Sequence, residues 1–320
     1  MSTSSHSAHR PRAAAILVVP FVAALVLTLF AWPNARMEPR DLPVGVAGAP
    51  GAVRALEHQL AERDGAFEVH RYAGEAAARE AIEQRDIYGA FVAAPEGATM
   101  LTASAASPAV AQMLTHAASE SGTPVEVHDV VSVSPAGAAL PSSVLPLVLA
   151  GIITGAIVAA AASSPVRRAG LVIGGSILAG LAATAIVHGW LDVVGGDWPA
   201  NAAALSLTVL AIAAVVAGFE ALLGTAGLAL AALTMILIGN PMSGAASGPE
   251  MLPEPAGAIG QLLPPGAGAN LLRSTGFFDG AAAGGHVAVL AAWTLAGLTA
   301  LLIAGVRGRR AAPAPAAVAA

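Results

Sequence analysis

The chain has 320 residues, of which 56% are hydrophobic even before its 35 Gly are counted, and only 11% are charged. Soluble chains have roughly 45–50% apolar residues with Gly included, and roughly 25% charged residues. So few charges could not cover the surface of a soluble globule, so the composition predicts a membrane protein. The formal net charge of −5 gives no reason to expect a nucleic-acid partner.

Two residue types are missing from the sequence, and each absence excludes chemistry. There is no Cys, and all 15 basic residues are Arg, so there is no Lys. Disulfides, thiolate metal sites and thiol nucleophiles are therefore excluded, as are a P-loop lysine and a Schiff base. The sequence also lacks a catalytic motif, and its His residues do not pair at metal-ligand spacing. We therefore expect no enzymatic activity, no cofactor and no metal site in this chain.

Six apolar stretches reach the roughly 17–25 residues that a membrane-spanning helix needs. They are Ala13–Trp32, Val144–Ala162, Ala169–Val187, Ala202–Phe219, Ala221–Gly239 and Val287–Val306. The first is longer than the roughly 7–15 apolar residues of a cleaved signal peptide, and we expect it to be an uncleaved anchor. A tight turn around Glu220 is expected to separate the fourth stretch from the fifth.

The Arg residues beside these stretches predict the orientation of the chain. Cytoplasmic segments carry an excess of Arg and Lys. Arg clusters lie before the first stretch, after the second and after the last: Arg10, Arg12, Arg167, Arg168, Arg307, Arg309 and Arg310. Six spans place all of them on one side. The sequence thus predicts a multi-pass plasma-membrane protein with residues 1–12 and 307–320 in the cytoplasm.

The segment 33–143 is expected to form a domain outside the cell. Strand and helix patterns alternate along it in the order β-α-β-α-β-β-α-β, from Leu42–Gly48 to Val125–Val133. Such an alternation is typical of a small α/β domain. The fold class predicted is a polytopic α-helical membrane protein of six transmembrane helices (residues 13–32, 144–239 and 287–306), with an extracytoplasmic α/β domain inserted between helices 1 and 2.

A second outer segment, residues 240–286, is rich in Gly and Pro but poor in charge. Its Met, Leu, Ile and Phe residues argue against disorder, which favours polar composition. Irregular apolar backbone at membrane depth must be buried in protein or line a wet cavity. We expect one or two short re-entrant or interfacial helices, interrupted by Pro253, Pro255, Pro264 and Pro265.

Few charged residues lie near the predicted spans, and the sequence allows two roles for each of them. Glu220, at an inner turn, is either an exposed loop charge or, with Arg167 and Arg168, a contact for a cytoplasmic partner. Arg273 either pairs with the nearby Asp279 or attracts an anionic headgroup or substrate. Two G-x-x-x-G spacings, Gly151/Gly155 and Gly170/Gly174, suit close helix packing within one subunit or along a dimer seam.

Several longer stretches resemble the membrane subunits of ABC-2-type exporters, and in particular the YhgE/Pip-like branch. The resemblance covers nearly the whole chain and rests on soft patterns of small residues, Gly and Pro. The stretches are "LPVGVAG" at 42–48, "RYAGEAAAREAIEQRDIYGAFVAAPEG" at 71–97, "TASAASPAVAQML" at 102–114, "GNPMSG" at 239–244 and "LLPPGAGANLLRSTGFFDGA" at 262–281.

This resemblance implies a permease subunit that exports a hydrophobic or envelope-related substrate, works as a homodimer or heterodimer among membrane lipids, and takes its energy from a separate cytoplasmic ATPase. It makes Asn240, Pro241, Pro264, Pro265 and Arg273 candidates for the pathway or its gate. The predicted cytoplasmic segments are short, however, and leave little surface for an ATPase. The alternative is a non-transporting scaffold or receptor whose outer domain binds an envelope partner.

Overall fold

A computed structural model describes residues 10–94, 97–120, 124–162 and 164–311. Most of the predicted cytoplasmic ends, 1–12 and 307–320, therefore lie outside the described residues. The first helix, α1, spans Arg10–Ala35 and leads into the elements of the α/β domain. These are β1 (Leu42–Gly48), α2 (Pro50–Ala61), β2 (Phe67–Tyr72), α3 (Glu75–Glu83), β3 (Gly89–Ala94), β4 (Gly97–Thr102), α4 (Pro108–Glu120) and β5 (Val125–Asp129).

The order of elements in this domain is the one that the sequence pattern predicts. The five strands form one mixed sheet in the order β2-β1-β3-β4-β5. β1 pairs in parallel with β2 and β3, β4 pairs in parallel with β5, and only the β3–β4 hairpin is antiparallel. A helix connects each sequential parallel pair, because parallel strands need a crossover connection of about a dozen residues or more.

Helices cover both faces of the sheet, and side chains alternate between the two faces along each strand. On one face, Leu42, Val44 and Met100 pack with residues of α2 and α4. On the other face, Ala47 and Leu101 pack against α3. Phe278, from a distant part of the chain, joins the α3 side of the core.

After the domain the chain is almost entirely helical. A 3-10 turn (Gly137–Ala139) leads into α5 (Leu140–Ala161), α6 (Pro165–Thr184) continues as a π-helical turn (Ala185–Trp190), and α7 follows (Trp198–Leu223). α8 (Thr225–Leu233) also ends in a π-helical turn (Thr234–Gly239). Then come a 3-10 turn (Pro249–Met251), α9 (Ala256–Gln261), α10 (Pro264–Phe277) and α11 (Ala283–Ala311).

Five helical stretches of the described chain are long and apolar enough to cross a membrane. They are Val18–Ala35, Gly137–Ala161, Pro165–Trp190, Trp198–Leu223 and Ala283–Arg307. The predicted span Ala221–Gly239 corresponds to the shorter apolar helix Thr225–Gly239. At 1.5 Å per residue it is about 22 Å long, less than the roughly 30 Å of a bilayer core. Five candidate spans, rather than six, are therefore established by length.

The turn before this shorter helix lies at Gly224 and not at Glu220, which is still part of α7. Gly224 has φ +67°, a conformation that Gly adopts without the steric penalty of a Cβ. Helix α7 is the centre of the bundle and contacts α5, α6, α10 and α11. Its apolar residues face neighbours on every side, as expected for a helix that is hydrophobic all round.

Helix α10 lies against only one half of α7. Thr275 Oγ1 donates to Asn201 Oδ1 at 2.7 Å. Two turns further along α7, Thr208 contacts Gly268 of α10. The two helices are therefore antiparallel. Thr208 is about 15 Å from the Trp198 end of α7 along the helix axis, and the first turn of α10 lies just beyond that level. Gly239, the last residue of the shorter helix, contacts Pro265 at that same level.

The α/β domain is attached to one end of the bundle through the segment 240–286. The amide of Glu38 donates to the Met251 carbonyl at 3.1 Å, and the amide of Arg40 donates to the Glu250 carbonyl at 3.0 Å. The hydroxyl of Ser107 donates to the Ser247 carbonyl at 2.8 Å. These bonds join the domain to the same end of the bundle at which α7 begins.

Candidate ligand pocket between the α/β domain and the bundle

A cavity of 230 Å³ lies where the α/β domain meets the segment 240–286 and the start of α11. Three parts of the chain contribute its polar lining. The domain provides Arg85 and Tyr88, the segment provides Glu250, Gln261 and Asn270, and α11 provides His286. Three further cavities, two of them larger, bring fewer polar groups from separate elements together.

Arg85 stands where a glycine is usual. The amide of Asp86 donates to the Ala81 carbonyl at 2.9 Å, and the amide of Arg85 donates to the Ile82 carbonyl at 3.0 Å. This pair of bonds is the Schellman motif that ends α3, whose residue in left-handed conformation is usually Gly. Arg85 adopts that conformation with φ +64°. Non-glycine residues in this conformation are strained, and such strain clusters at active sites and ligand-binding sites.

The guanidinium of Arg85 crosses from the domain to α10. Its Nη1 donates to the carbonyl of Asn270 at 3.1 Å and to the hydroxyl of Ser274 at 2.5 Å. Its Nη2 donates to Asn270 Oδ1 at 3.1 Å. The same group lies 5.3 Å from the ring centroid of Phe278, within the range of a cation–π contact. Arg85 is therefore a principal link between domain and bundle.

Arg273 is the second cation of the site and is only 2% exposed. Its Nη1 donates to Asn270 Oδ1 at 3.0 Å, and its Nη2 donates to the carbonyl of Ala245 at 2.6 Å. Its Nε is buried and has no hydrogen-bond partner among the described residues. The expected pairing with Asp279 is wrong, because the guanidinium points into this network and forms no ion pair within the described chain.

Asn270 holds the two cations together. Its Oδ1 accepts from both guanidinium groups, and its Nδ2 donates to Gln261 Oε1 at 2.7 Å. Gln261 in turn donates from Nε2 to the carbonyl of Ser243 at 2.9 Å. Every polar atom of these two amides is thus oriented by a partner, which fixes the position of Asn270 between two positive charges.

One carboxylate also lines the cavity. Glu250 accepts a hydrogen bond of 2.6 Å from the hydroxyl of Tyr88, and no ion pair joins it to an Arg among the residues described. Burial raises the pKa of the Tyr88 hydroxyl, and the Glu250 carboxylate raises it further, so Tyr88 stays a neutral donor. Burial lowers the pKa of Arg85, which Tyr88 and Glu250 oppose.

The charges of the cavity wall do not cancel. Arg85 and Glu250 line the cavity, and Arg273 lies behind the wall, bonded to the lining residue Asn270. The two Arg residues carry two positive charges in the ordinary protonated state of arginine, and Glu250 carries one negative charge. Isolated buried charges are unfavourable by several kcal/mol unless they are paired and hydrogen-bonded. Here two guanidinium groups rely on neutral oxygens and share one of them. The site therefore has an excess of positive charge next to an open space.

The other sequence-predicted candidates lie away from this cavity. Pro264 and Pro265 begin α10, and Asn240 and Pro241 directly follow the shorter helix, whose last residue, Gly239, contacts Pro265 halfway along α7. Of the predicted pathway residues, only Arg273 belongs to the charged network. Arg85, Tyr88, Glu250 and Asn270 were missed, because their partners are distant in sequence. The one local signal is a helix end at 84–86 without Gly.

The predicted partner-contact residues lie at the opposite end of the bundle. Arg168 donates from Nη1 to Glu220 at 3.0 Å, and to the carbonyls of Ala159 and Ala162 at the end of α5 at 2.6 and 2.5 Å. The idea that Glu220 is an exposed loop charge is therefore wrong, since its carboxylate is only 24% exposed and is paired. Arg167 is exposed.

A larger cavity of 630 Å³ lies within the α/β domain, on the sheet face between α2 and α4. Its wall is mostly apolar, with Leu60, Phe67, Phe91 and Met113 among the lining residues. It contains no buried charge and no element of the bundle. Among the described residues, no group of three His, Asp or Glu side chains could hold a metal ion.

Comparisons with family models, with curated proteins and with solved structures found no match.

Proposed function

We propose that this chain is the membrane-spanning permease subunit of an ABC-2-type exporter, which moves a hydrophobic or envelope-related substrate outward. The observation that carries the proposal is the meeting of two interrupted helices inside the bundle. The shorter helix stops at Gly239, and α10 starts at Pro264, both halfway along α7. Interrupted helices whose ends meet near mid-height are typical of substrate pathways in transporters.

Energy for transport comes, in this proposal, from a separate ATPase. The sequence has no Lys and so cannot form a P-loop of its own. Arg167, exposed beside the Arg168–Glu220 pair, is the group best placed to contact such a subunit at the end of the bundle far from the α/β domain.

The proposal is tested by affinity purification of the tagged full chain in mild detergent, followed by mass spectrometry. We expect a protein with a Walker A motif to co-purify, and we expect Arg167→Ala to lower its recovery at least several-fold. Arg54→Ala is the matched control, because Arg54 is also exposed but lies on α2 in the α/β domain. Repeated purifications without any such ATPase would contradict the exporter.

A non-transporting scaffold or receptor is the second candidate. It is favoured by the small number of described residues outside helices at the Glu220 end, which include Ala162, Ser164 and Gly224. Most of the structure outside the bundle is the α/β domain at the other end. For a scaffold, the same purification recovers an envelope component and no ATPase, and Arg167→Ala has no effect.

A further inference from the structure

The unbalanced positive charge between domain and bundle indicates a ligand. Arg85 has five N–H donors. It forms three hydrogen bonds to the described residues. Arg273 forms two, and its buried Nε has none within the described chain. Buried polar groups are nearly always satisfied. Of the two cations, Arg85 lines the cavity, so its remaining N–H donors are available to an acceptor that the chain itself does not provide.

An acceptor with negative charge fits the wall best. Guanidinium groups bind phosphate and carboxylate through charge-assisted hydrogen bonds that are stronger than neutral ones. The amides of Gln261 and Asn270 and the ring of His286 also line the space. One anion would make the site neutral, because the two guanidinium groups exceed the Glu250 carboxylate by one charge.

The size and the surroundings of the cavity indicate which kind of anion fits. Its 230 Å³ is below the roughly 300–1,000 Å³ of pockets that enclose a drug-sized molecule, so it holds a head group and not a whole amphiphile. Apolar side chains that neighbour its lining residues in sequence are exposed: Ile259 is 40%, Leu262 64% and Val287 40% exposed. These provide a surface on which acyl chains can lie.

We propose that this cavity binds the phosphate group of an anionic lipid, with Arg85 as the direct contact and Arg273 and Asn270 as the groups that hold its charge in place. The proposal names the ligand class of the pathway and rests on the proposed function only for the step from binding to transport. Binding itself requires no ATPase, so the test below is independent of the co-purification.

The test uses the purified full chain in detergent micelles and measures its unfolding temperature during titration. The probes are short-chain phosphatidylglycerol, phosphatidylcholine with the same chains, and sodium phosphate. A ligand that binds only the native state stabilises it in proportion to ln(1 + [L]/Kd). We expect the apparent Kd for phosphatidylglycerol to be at least tenfold lower than for phosphatidylcholine, which is about 1.4 kcal/mol.

The decisive variant is Asn270→Asp, which places a carboxylate where the amide oxygen already accepts from both guanidinium groups. This change removes the hydrogen bond from Asn270 Nδ2 to Gln261 Oε1 but gives two buried cations an anionic partner. We expect the chain to fold and to lose its preference for phosphatidylglycerol. Arg85→Gln should weaken phosphatidylglycerol binding at least tenfold, and the exposed Arg54→Gln should not change it. If Arg85→Gln fails to fold, the result for Asn270→Asp still decides.

Three outcomes contradict the proposal. Equal affinity of the unmodified chain for phosphatidylglycerol and phosphatidylcholine would show that the cavity does not recognise the negative charge of the lipid. An Asn270→Asp variant that keeps the preference would place the anion elsewhere. Stabilisation by sodium phosphate that equals that of phosphatidylglycerol would identify a free anion, and not a lipid, as the occupant of the cavity.

Discussion

At the residue scale, the molecule departs from local rules where the α/β domain meets the bundle. A left-handed residue after a helix is usually Gly, but here it is Arg85, whose side chain contacts Asn270 and Ser274. Asn270 accepts from two cations at once. Such departures are expected to concentrate at functional sites, although Asp41, Asp192, Asp279 and Ala282 also have positive φ.

The strain at Arg85 can be separated from its contacts with two variants. Arg85→Ala and Arg85→Gly both remove the guanidinium, but only Ala keeps a Cβ at φ +64°. A left-handed conformation is unfavourable by roughly 1–2 kcal/mol for a residue with a Cβ. We therefore expect Arg85→Ala to be less stable than Arg85→Gly by about 1 kcal/mol, measured by unfolding in detergent. Equal stability would mean that the turn rearranges.

At the element scale, small residues set how closely the helices of the bundle pack. A Cβ on Gly151 would lie 2.7 Å from the Ile212 Cβ, and one on Gly155 would lie 2.7 Å from the Ala213 carbonyl oxygen. The first G-x-x-x-G spacing therefore packs α5 against α7 within one chain. Gly170 and Gly174 have open space around them, so the second spacing makes no such contact in the chain itself.

This difference predicts opposite results for the same substitution in the two pairs. Gly155→Ala should destabilise the chain by about 1–3 kcal/mol, the usual effect of overpacking a tight contact. Gly174→Ala should be neutral or stabilising by up to about 1 kcal/mol, because Ala favours a helix over Gly. The measurement is the unfolding temperature of each variant in detergent. A destabilised Gly174→Ala would indicate that α6 packs against a second subunit.

At the scale of the whole molecule, the α/β domain and the Arg168–Glu220 pair lie at opposite ends of the bundle. Residues 198 and 220 of α7 are about 33 Å apart along the helix axis, which is close to the thickness of a bilayer core. The five long apolar helices are compatible with a multi-pass membrane protein. The predicted orientation, with the α/β domain outside, remains a prediction.

The orientation is directly testable because the sequence contains no Cys, so each single-Cys variant reports one position. Asp64→Cys and Glu254→Cys should react with a membrane-impermeant maleimide in intact cells. Arg167→Cys and Thr225→Cys should react only after permeabilisation. All four positions are exposed in the structure. Labelling of Thr225→Cys in intact cells would show that α7 does not cross the bilayer, and labelling of Arg167→Cys would reverse the orientation.

The sequence by itself determined the features that depend on composition and short-range periodicity. The apolar stretches around 144–187 and 287–306 became long helices, and the alternation in 33–143 became a five-stranded α/β sheet. The sequence predicted a full span at 221–239, but the helix there is shorter. The Ala- and Leu-rich composition of this run does not indicate that the helix begins only after Gly224. Helix ends were therefore harder to predict than helices.

Only the tertiary structure decided which charges meet. Arg85 and Asn270 are 185 residues apart, and no local pattern can indicate a contact over that distance. The sequence allowed Arg273 either to pair with Asp279, which is near in the chain, or to attract an anion. The pairing does not form, because the fold of α9 and α10 turns Arg273 toward Asn270 and Ala245. Local rules act over a few residues, whereas the charge balance of a cavity depends on every element around it.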